Sequence, residues 1–407
     1  MDSETSGTLL SVEAALARVL ALCAPLPPES SSVDGAIGRA LVEPVLAART
    51  VPPWDCSAMD GYAVRAADAA VPGARLKVVE TIFAGQTPAR PVGPGECARI
   101  MTGAPLPEGA DAVVVQERTR RTGDEVEVVE VVPARHCVRN RGEDAREGEP
   151  LLPAGSVIGL PEAGLLWSQG LGRILVPRRP KVAVLSTGDE LCPFDQPLPD
   201  KLVDTNGPML SMAARRLGAA VTHLGIARDS LEDVLQRLSP ALGFDAVITS
   251  AGVSVGERDL VKDALAQMGV EMDFWRVAVK PGKPLAVGRK GRTVFFGLPG
   301  NPTASLVSFE LFVRPALRRM MGHLDVEPWR VPGRLEVPVS KSPGLVHYMG
   351  ATARLRDGEL HARPLQSQAS GALRSAAGIT CLIELPADGT RFAAGDPVTL
   401  LLVSWHA

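Results

Sequence analysis

The spacing of apolar residues divides the chain into distinct textures. Over residues 11–23, Val12, Ala15, Leu16, Val19, Leu20 and Cys23 recur at helical spacing, with Ser11 placed to cap the helix and a Pro-rich stretch from Ala24 to end it. Residues 51–141 read instead as short β-branched runs, at 75–81, 112–117 and 126–132, punctuated by Gly and Pro. Residues 142–176 turn Leu- and Gly-rich, with a helix expected over 161–170 that packs back on the first one and makes the β-rich module an insertion. From residue 181 strands expected at 181–186, 219–224, 245–250, 274–279 and 293–296 alternate with helices at 206–217, 229–242, 259–268 and 302–321. Pro315 is expected to kink the last of these. Such alternation predicts a parallel α/β sheet. Beyond residue 331 short strands return at 334–339, 351–355, 381–385 and 397–403, the pattern of a small β-barrel or sandwich. The fold class is thus α/β plus β in several domains. A discontinuous helical linker domain is expected at 8–50 and 142–178, the inserted β-rich module at 51–141, the α/β domain at 179–328 and the barrel-like domain at 329–407.

Composition narrows the function. The 407 residues carry a formal charge of −3 and no basic run, which argues against a partner gripped through nucleic-acid phosphates. The six cysteines form no C-x-x-C pair and read as scattered reduced thiols rather than a disulfide framework or zinc site. With Asp2 and Glu4 at its start, no cationic leader and no long apolar run free of Gly and Pro, the chain reads as soluble and cytoplasmic, without a membrane partner.

In open α/β sheets, ligands sit where strand ends meet helix starts. Three loops fall there: Ser186-Thr-Gly-Asp-Glu190, the Gly- and Ser-rich stretch 249–259, and Gly297-Leu-Pro-Gly-Asn-Pro302. Small residues let backbone N–H groups close on phosphate oxygens, so three such loops on one edge favour a phosphate-bearing ligand over mere tight turns. Lys280 and Lys283 stand three residues apart on a Pro-stiffened turn between apolar flanks, and two such charges suit a tetrahedral oxyanion or a phosphate. Loop carboxylates recur at Asp60, Asp144, Glu190, Asp229 and Asp259. Oxygen ligands of this kind suit Mg²⁺ when a substrate phosphate completes its shell, and each also suits helix capping. Ser254 has neither a neighbouring base nor a nucleophile-elbow context, so a hydrolase triad is set aside.

Eight segments together resemble the molybdopterin molybdenumtransferase family, the MoeA proteins related to the gephyrin E domain. In chain order they are Ser57-Ala-Met-Asp-Gly-Tyr-Ala-Val64, Arg99-Ile-Met-Thr-Gly-Ala-Pro-Leu-Pro107, Arg141-Gly-Glu-Asp144, 186–191, Asp204-Thr-Asn206, 249–256, 280–284 and 297–302. The resemblance implies a homodimer whose cleft lies between the α/β domain of one subunit and the β-rich module of the other. It implies Mg²⁺-assisted insertion of molybdenum from molybdate into adenylylated molybdopterin with release of AMP, and transient contacts with other proteins of cofactor biosynthesis and with recipient molybdoenzymes. Carried onto this chain, it implies catalytic roles for Asp60, Thr102, Glu190, Asp259, Lys280 and Lys283, with Asp60 and Thr102 on the cleft wall and the lysines on molybdate or phosphate. Cofactor binding is implied for Thr187, Gly188, Asp189, Ser250, Gly252, Ser254, Gly256, Pro299, Gly300, Asn301 and Ser370. Asp144, Glu190, Asp229 and Asp259 are implied as the acidic set for metal.

The chain departs from the family pattern at Ala251, where a Gly is usual, and at Thr303-Ala304-Ser305, where Val-Ser is common after Asn-Pro. It departs most at Leu345-Val-His-Tyr-Met-Gly350, where a basic stretch with a molybdate-anchoring Arg is expected, and Gln368-Ala-Ser-Gly371 replaces Gln-Gly-Ser-Gly. Two other readings stay open beside the insertase. One is a weakened paralogue or scaffold that binds molybdopterin without efficient insertion. The other is the preceding adenylyltransferase step, against which the β-rich module and the C-terminal domain argue.

Overall fold

The computed structural model describes residues 9–252, 260–371, 373–403 and 405. Ser11 caps the first helix, Val12–Ala21, its hydroxyl oxygen accepting from the Ala14 N–H at 3.1 Å. Its apolar face does not meet the helix Leu160–Ser168, contrary to expectation. Val12, Ala15, Leu16 and Val19 join the core beneath the α/β sheet with Leu285, Phe312 and Leu317, whereas Leu160–Ser168 covers Val33, Leu41, Ile158 and Ile174. Backbone pairing joins the two linker segments instead. Pro28–Ser32 runs antiparallel to Arg173–Pro177, and Val45–Leu46 lies against Pro150–Leu152. Between them, Cys56–Ser57 pairs with Val138–Arg139 at the neck of a six-stranded sheet ordered Ala112–Val115, Gly61–Val64, Glu96–Ile100, Ala74–Ile82, Glu125–Val128, Thr119–Thr122.

A second six-stranded sheet runs Ala220–Ala227, Lys181–Thr187, Ala246–Ser250, Thr293–Leu298, Pro284–Lys290, Glu271–Arg276. Its first four strands are parallel, but Pro284–Lys290 runs antiparallel to both of its neighbours, so the sheet is mixed where a parallel one was expected. The cause is local. Lys290 pairs with Thr293, so only Gly291 and Arg292 lie between the strands, and a two-residue connection can join only antiparallel neighbours. Strand residues alternate between faces: Val182 and Val184 enter the core beneath Asn206–Arg216 and the last helix, and Ala183 and Leu185 the core beneath Leu231–Leu238 and Leu260–Gln267. The last helix is interrupted just before Pro315. The proline ring would meet the carbonyl of Leu311, and the chain widens into a π turn over Phe309–Val313 between the α-helical pieces Pro302–Ser308 and Arg314–Met320.

The C-terminal strands close a five-stranded barrel, Val346–Arg356, Glu359–Pro364, Arg330–Leu335, Pro397–Leu402, Cys381–Leu385 and back to Val346–Arg356. Both faces of its strands are apolar. Met349, Ala351, Ile383 and Leu400 fill the barrel, and Tyr348, Leu382 and Leu401 point into the α/β core. The short strand Val279–Lys280 adds in parallel to Val346–His347 and ties the two units through the backbone. Among the described residues no helix is long and apolar enough to cross a membrane.

Two local features set stability around the sheet. At its amino edge, Asp245 accepts both arms of the Arg178 guanidinium at 2.6 Å and the Lys181 N–H at 2.8 Å, with its side chain only 7 % exposed. Asp245→Ala is expected to lower the unfolding free energy by about 3 kcal/mol, because a half-buried guanidinium loses its partner. Urea denaturation measures this, and a loss under about 1 kcal/mol would show that solvent replaces the carboxylate. At the carboxyl edge, Ala251 holds φ at +73°, the left-handed region. Ala251→Gly is expected to gain about 0.5–1 kcal/mol of stability by relieving the Cβ clash. An unchanged denaturation midpoint would contradict that strain.

Candidate active site

Parallel register sets Ser186 beside Ser250 and Ser250 beside Leu298, so the loops that follow the three strands share one edge. Asn206, at the start of the helix behind them, ties the edge together. Its Nδ2 donates to Ser250 Oγ and to the Gly300 carbonyl, each at 2.7 Å. Thr187 Oγ1 donates to the Ser250 carbonyl at 3.5 Å. Gly188 bends away at φ +143°, a backbone conformation that favours glycine, and the exposed Glu190 carboxylate folds back over it, 2.5 Å from where a Cβ would stand. Gly252, at φ +74°, would drive a Cβ into Val261 at 2.3 Å. Several buried polar atoms on this edge make no hydrogen bond: Ser186 Oγ, Thr249 Oγ1, Asn206 Oδ1 and Asp204 Oδ2, the last with only His223 Nε2 at 3.8 Å. Buried polar groups are ordinarily satisfied, so this row marks an edge built for a polar ligand or ordered water.

Two cavities flank the edge. The larger, about 550 Å³, is lined by Gly188, Asp189, Lys201, Asp204, His223 and Arg228 among others. Beside it Asp189 and Asp229 hold each other, each carboxylate accepting the other's backbone N–H at 3.2 Å. Lys201 Nζ donates to the Asp189 carbonyl at 2.9 Å. Burial lowers the His223 pKa, against the opposing pull of Asp204.

The smaller cavity, about 240 Å³, opens where the α/β domain meets the barrel. Lys280, Lys283, Pro299, Asn301, Thr303 and His347 line it, with Ser370 and Gln368 at its barrel side, and no carboxylate is among its lining residues. Asn301 Nδ2 donates to Ser370 Oγ at 3.1 Å and the Thr303 N–H donates to the Ser370 carbonyl at 3.1 Å, which clamps the barrel loop on the start of the last helix. Gln368 spends its amide on Gly350, accepting from its N–H at 3.0 Å and donating to its carbonyl at 2.9 Å. Ser305 donates its hydroxyl to the Pro299 carbonyl, whereas Thr303 Oγ1 is buried with no partner. No hydrogen bond or ion pair occupies the Lys280 or Lys283 ammonium among the described residues, so both charges remain available to an anion.

Asp60 and Thr102 lie apart, in the inserted module. Thr102 donates its backbone N–H and its hydroxyl to Asp60 Oδ1, each at 2.8 Å, and these bonds hold the Asp60 carboxyl below its ordinary range. Asp144 is exposed near the neck, its N–H donating to the Val51 carbonyl. Among the described residues no hydrogen bond or ion pair links Asp60, Thr102 or Asp144 to the α/β edge. The structure therefore gathers Thr187, Gly188, Asp189, Glu190, Asp229, Ser250, Gly252 and Gly300 on the edge, and Lys280, Lys283, Pro299, Asn301 and Ser370 around the small cavity. Ser254, Gly256 and Asp259 lie outside the described residues. No group of three His, Cys, Asp or Glu among the described residues is close enough to hold a metal ion. Sequence reasoning passed over Thr303, His347, Gln368, His223 and Lys201 as site residues. Asn206 sat in a quoted motif and Thr303, His347 and Gln368 in segments that depart from the family pattern, which was the available signal, while His223 and Lys201 carry no local pattern.

Comparison with known proteins covers nearly the whole chain. Residues 10–170 match the MoeA N-terminal region (domains I and II), 183–319 a probable molybdopterin binding domain, and 332–403 the MoeA C-terminal region (domain IV). The molybdopterin molybdenumtransferase of Staphylococcus aureus strain Mu50 is 32% identical over 404 residues, 98% of this chain and 96% of that protein. The protein of the same name from Nostoc sp. PCC 7120 is 37% identical over 376 residues, 89% of this chain and 86% of its own. Among solved structures, two of the molybdopterin biosynthesis MoeA protein of Pyrococcus horikoshii cover 97% of this chain and 99–100% of their own. They superpose with TM-scores of 0.77 and 0.83 at 31% and 26% identity. With three successive family regions in order and a relative similar along almost its full length, this chain belongs to the molybdopterin molybdenumtransferase (MoeA) family.

Proposed function

We propose that this chain acts in molybdenum cofactor biosynthesis, transferring molybdenum from molybdate to adenylylated molybdopterin with release of AMP. The observation that carries the reading is the loop 299–301. Pro299 and Asn301 line the lysine cavity, while the carbonyl of Gly300 is held with Ser250 by Asn206 on the adjoining strand edge. One short segment thus borders both an anion pocket and a row of unsatisfied polar groups. In this reading Lys280 and Lys283 hold molybdate, with the Thr303 hydroxyl free to donate to an oxygen. Thr187, Gly188, Asp189, Ser250, Gly252, Ser254, Gly256, Pro299, Gly300 and Asn301 receive the pterin and its phosphate.

Mg²⁺ fits the donor set. Asp189 and Asp229 are already held together, Glu190 follows on the same loop, and Mg²⁺ takes one or two carboxylates with substrate phosphate and water. When bound, the cation supplies Lewis-acid stabilisation of the adenylyl phosphate oxygens. Asp259 is assigned to the same acidic set, which Asp144 joins from a second subunit in a cytoplasmic homodimer, and Asp60 and Thr102 to the wall that this subunit contributes. The separation of Asp60, Thr102 and Asp144 from the α/β edge within one chain supports that assignment.

A catalytically weakened paralogue is the second reading, favoured by one observation: the barrel strand presents His347, not a permanently charged side chain, to the anion cavity. The purified chain, given adenylylated molybdopterin, Mg²⁺ and graded molybdate, is expected to release AMP in a molybdate-dependent way. Tight pterin binding without AMP release would select the paralogue. Lys283→Ala is expected to raise the half-saturating molybdate concentration about 10- to 100-fold through loss of a charged contact, with the unfolding midpoint unchanged. Asp259→Asn is expected to abolish AMP release. Wild-type turnover in either variant would remove that residue from the site.

A further inference from the structure

We propose that His347 carries a proton into the small cavity together with the oxyanion, so that anion binding and imidazole protonation are one coupled event. This rests on reading the cavity as an oxyanion site. The geometry comes from the barrel seat. Val346–His347 pairs in parallel with Val279–Lys280, and Lys280 is the direct register partner of His347. His347 is among the residues that line the cavity with Lys280 and Lys283, only 6 % of it is exposed, Nδ1 is buried with no hydrogen-bond partner, and the Lys280 charge acts on the ring. Such an atom is costly to leave unsatisfied unless a ligand or a proton-coupled contact uses it.

The charges around the ring decide its state. Lys280 faces it from the paired strand and Lys341 from the turn before its own strand, and both act on it. On the opposite side its register partner is the apolar Leu385. Glu384 on that strand is engaged by Arg330 at 2.9 Å, and Asp388 acts on Lys341 rather than on His347. With the cavity empty, burial first and then the two lysines push the imidazole down to about 4, so it is neutral near pH 7. A tetrahedral dianion between Lys280 and Lys283 reverses the local potential and favours the imidazolium, which has N–H donors on both nitrogens. A guanidinium at this position would stay charged in the empty cavity too. The histidine adds its positive charge only when the anion is present.

The sign of the linkage follows. Between the pKa of the empty state and the higher pKa of the loaded state, the complex holds more protons than the free protein. Affinity for the anion therefore rises as pH falls through the loaded-state pKa, and levels off near the empty-state value. The test is calorimetric titration of the full chain with sodium molybdate at pH 6.5 and 8, in two buffers of different ionisation enthalpy that carry no oxyanion. The wild type is expected to take up a fraction of a proton at pH 6.5. Its affinity is expected to fall about fivefold by pH 8, as an average uptake near half a proton requires. His347→Gln is expected to bind with no such uptake and little pH dependence. Binding without proton uptake, or equal uptake in His347→Gln, overturns the proposal and leaves the anion site standing. No molybdate binding by the wild type overturns the site and the proposal together. Should His347→Gln fail to fold, histidine NMR of the wild type decides. The resonance expected is one that stays neutral from pH 5 to 8 alone and titrates in that range with molybdate, and its absence overturns the proposal.

Discussion

The seating of the barrel on the α/β layer governs the rest of the site. Tyr348, Leu382 and Leu401 leave the barrel surface and are buried among Val279, Leu285 and Phe312, so the two units share one core. Such a contact is apolar and non-directional. Direction comes from backbone pairing of Val279–Lys280 with Val346–His347, and from Ser370 clamped on Asn301 and Thr303. These polar ties set the distance between the lysine turn and the barrel and leave the space that becomes the small cavity.

Electrostatics inside that space differ from the rest of the surface. Elsewhere the cationic side chains are commonly matched, as in Arg178 with Asp245, Arg330 with Glu384 and Arg334 with Glu359. Lys280 and Lys283 stand without a carboxylate in a pocket that has none in its lining. An acidic protein can therefore attract an anion locally, because at short range and in a partly desolvated site the nearby charges outweigh the net charge. The price is a pair of unneutralised cations beside a buried imidazole, an arrangement retained at functional sites despite its cost.

The strand edge follows a different logic. Glycine at 188 and 252 lets the backbone turn through positive φ, at 252 also where a side chain would collide with Val261, and Asn206 fixes two loops with one amide. Rigid elements carry these groups, so their relative positions are preorganised. The inserted module stands apart, with the Asp60 carboxylate held by Thr102 and by the charge of Arg99 from the same module. In the proposed reaction that isolation is what a second subunit resolves.

The helix Val12–Ala21 with its Ser11 cap, the alternating centre and the β-rich tail were legible in the chain, because periodicity and capping are local. Eight ordered motifs carried the family and most of the residues around the strand edge and the lysine turn. Some missed features were local too. The Asp357-Gly358 turn, with both residues at positive φ, announces the hairpin of Val346–Arg356 and Glu359–Pro364, and Gly291 marks the turn that makes the central sheet mixed. The small C-terminal barrel was legible as a pattern of short strands, and the segment 345–350 as the counterpart of an anion-anchoring stretch, but the partner of the first helix and the pairing of His347 with Lys280 were not. Each depends on which apolar faces meet across hundreds of residues, and burial by shape carries no sequence spacing. The sequence by itself determined the elements and the chemistry available at their ends. Only tertiary packing decided that a barrel histidine, a helix-start threonine and two turn lysines surround one cavity, because long-range apolar burial brings those segments together.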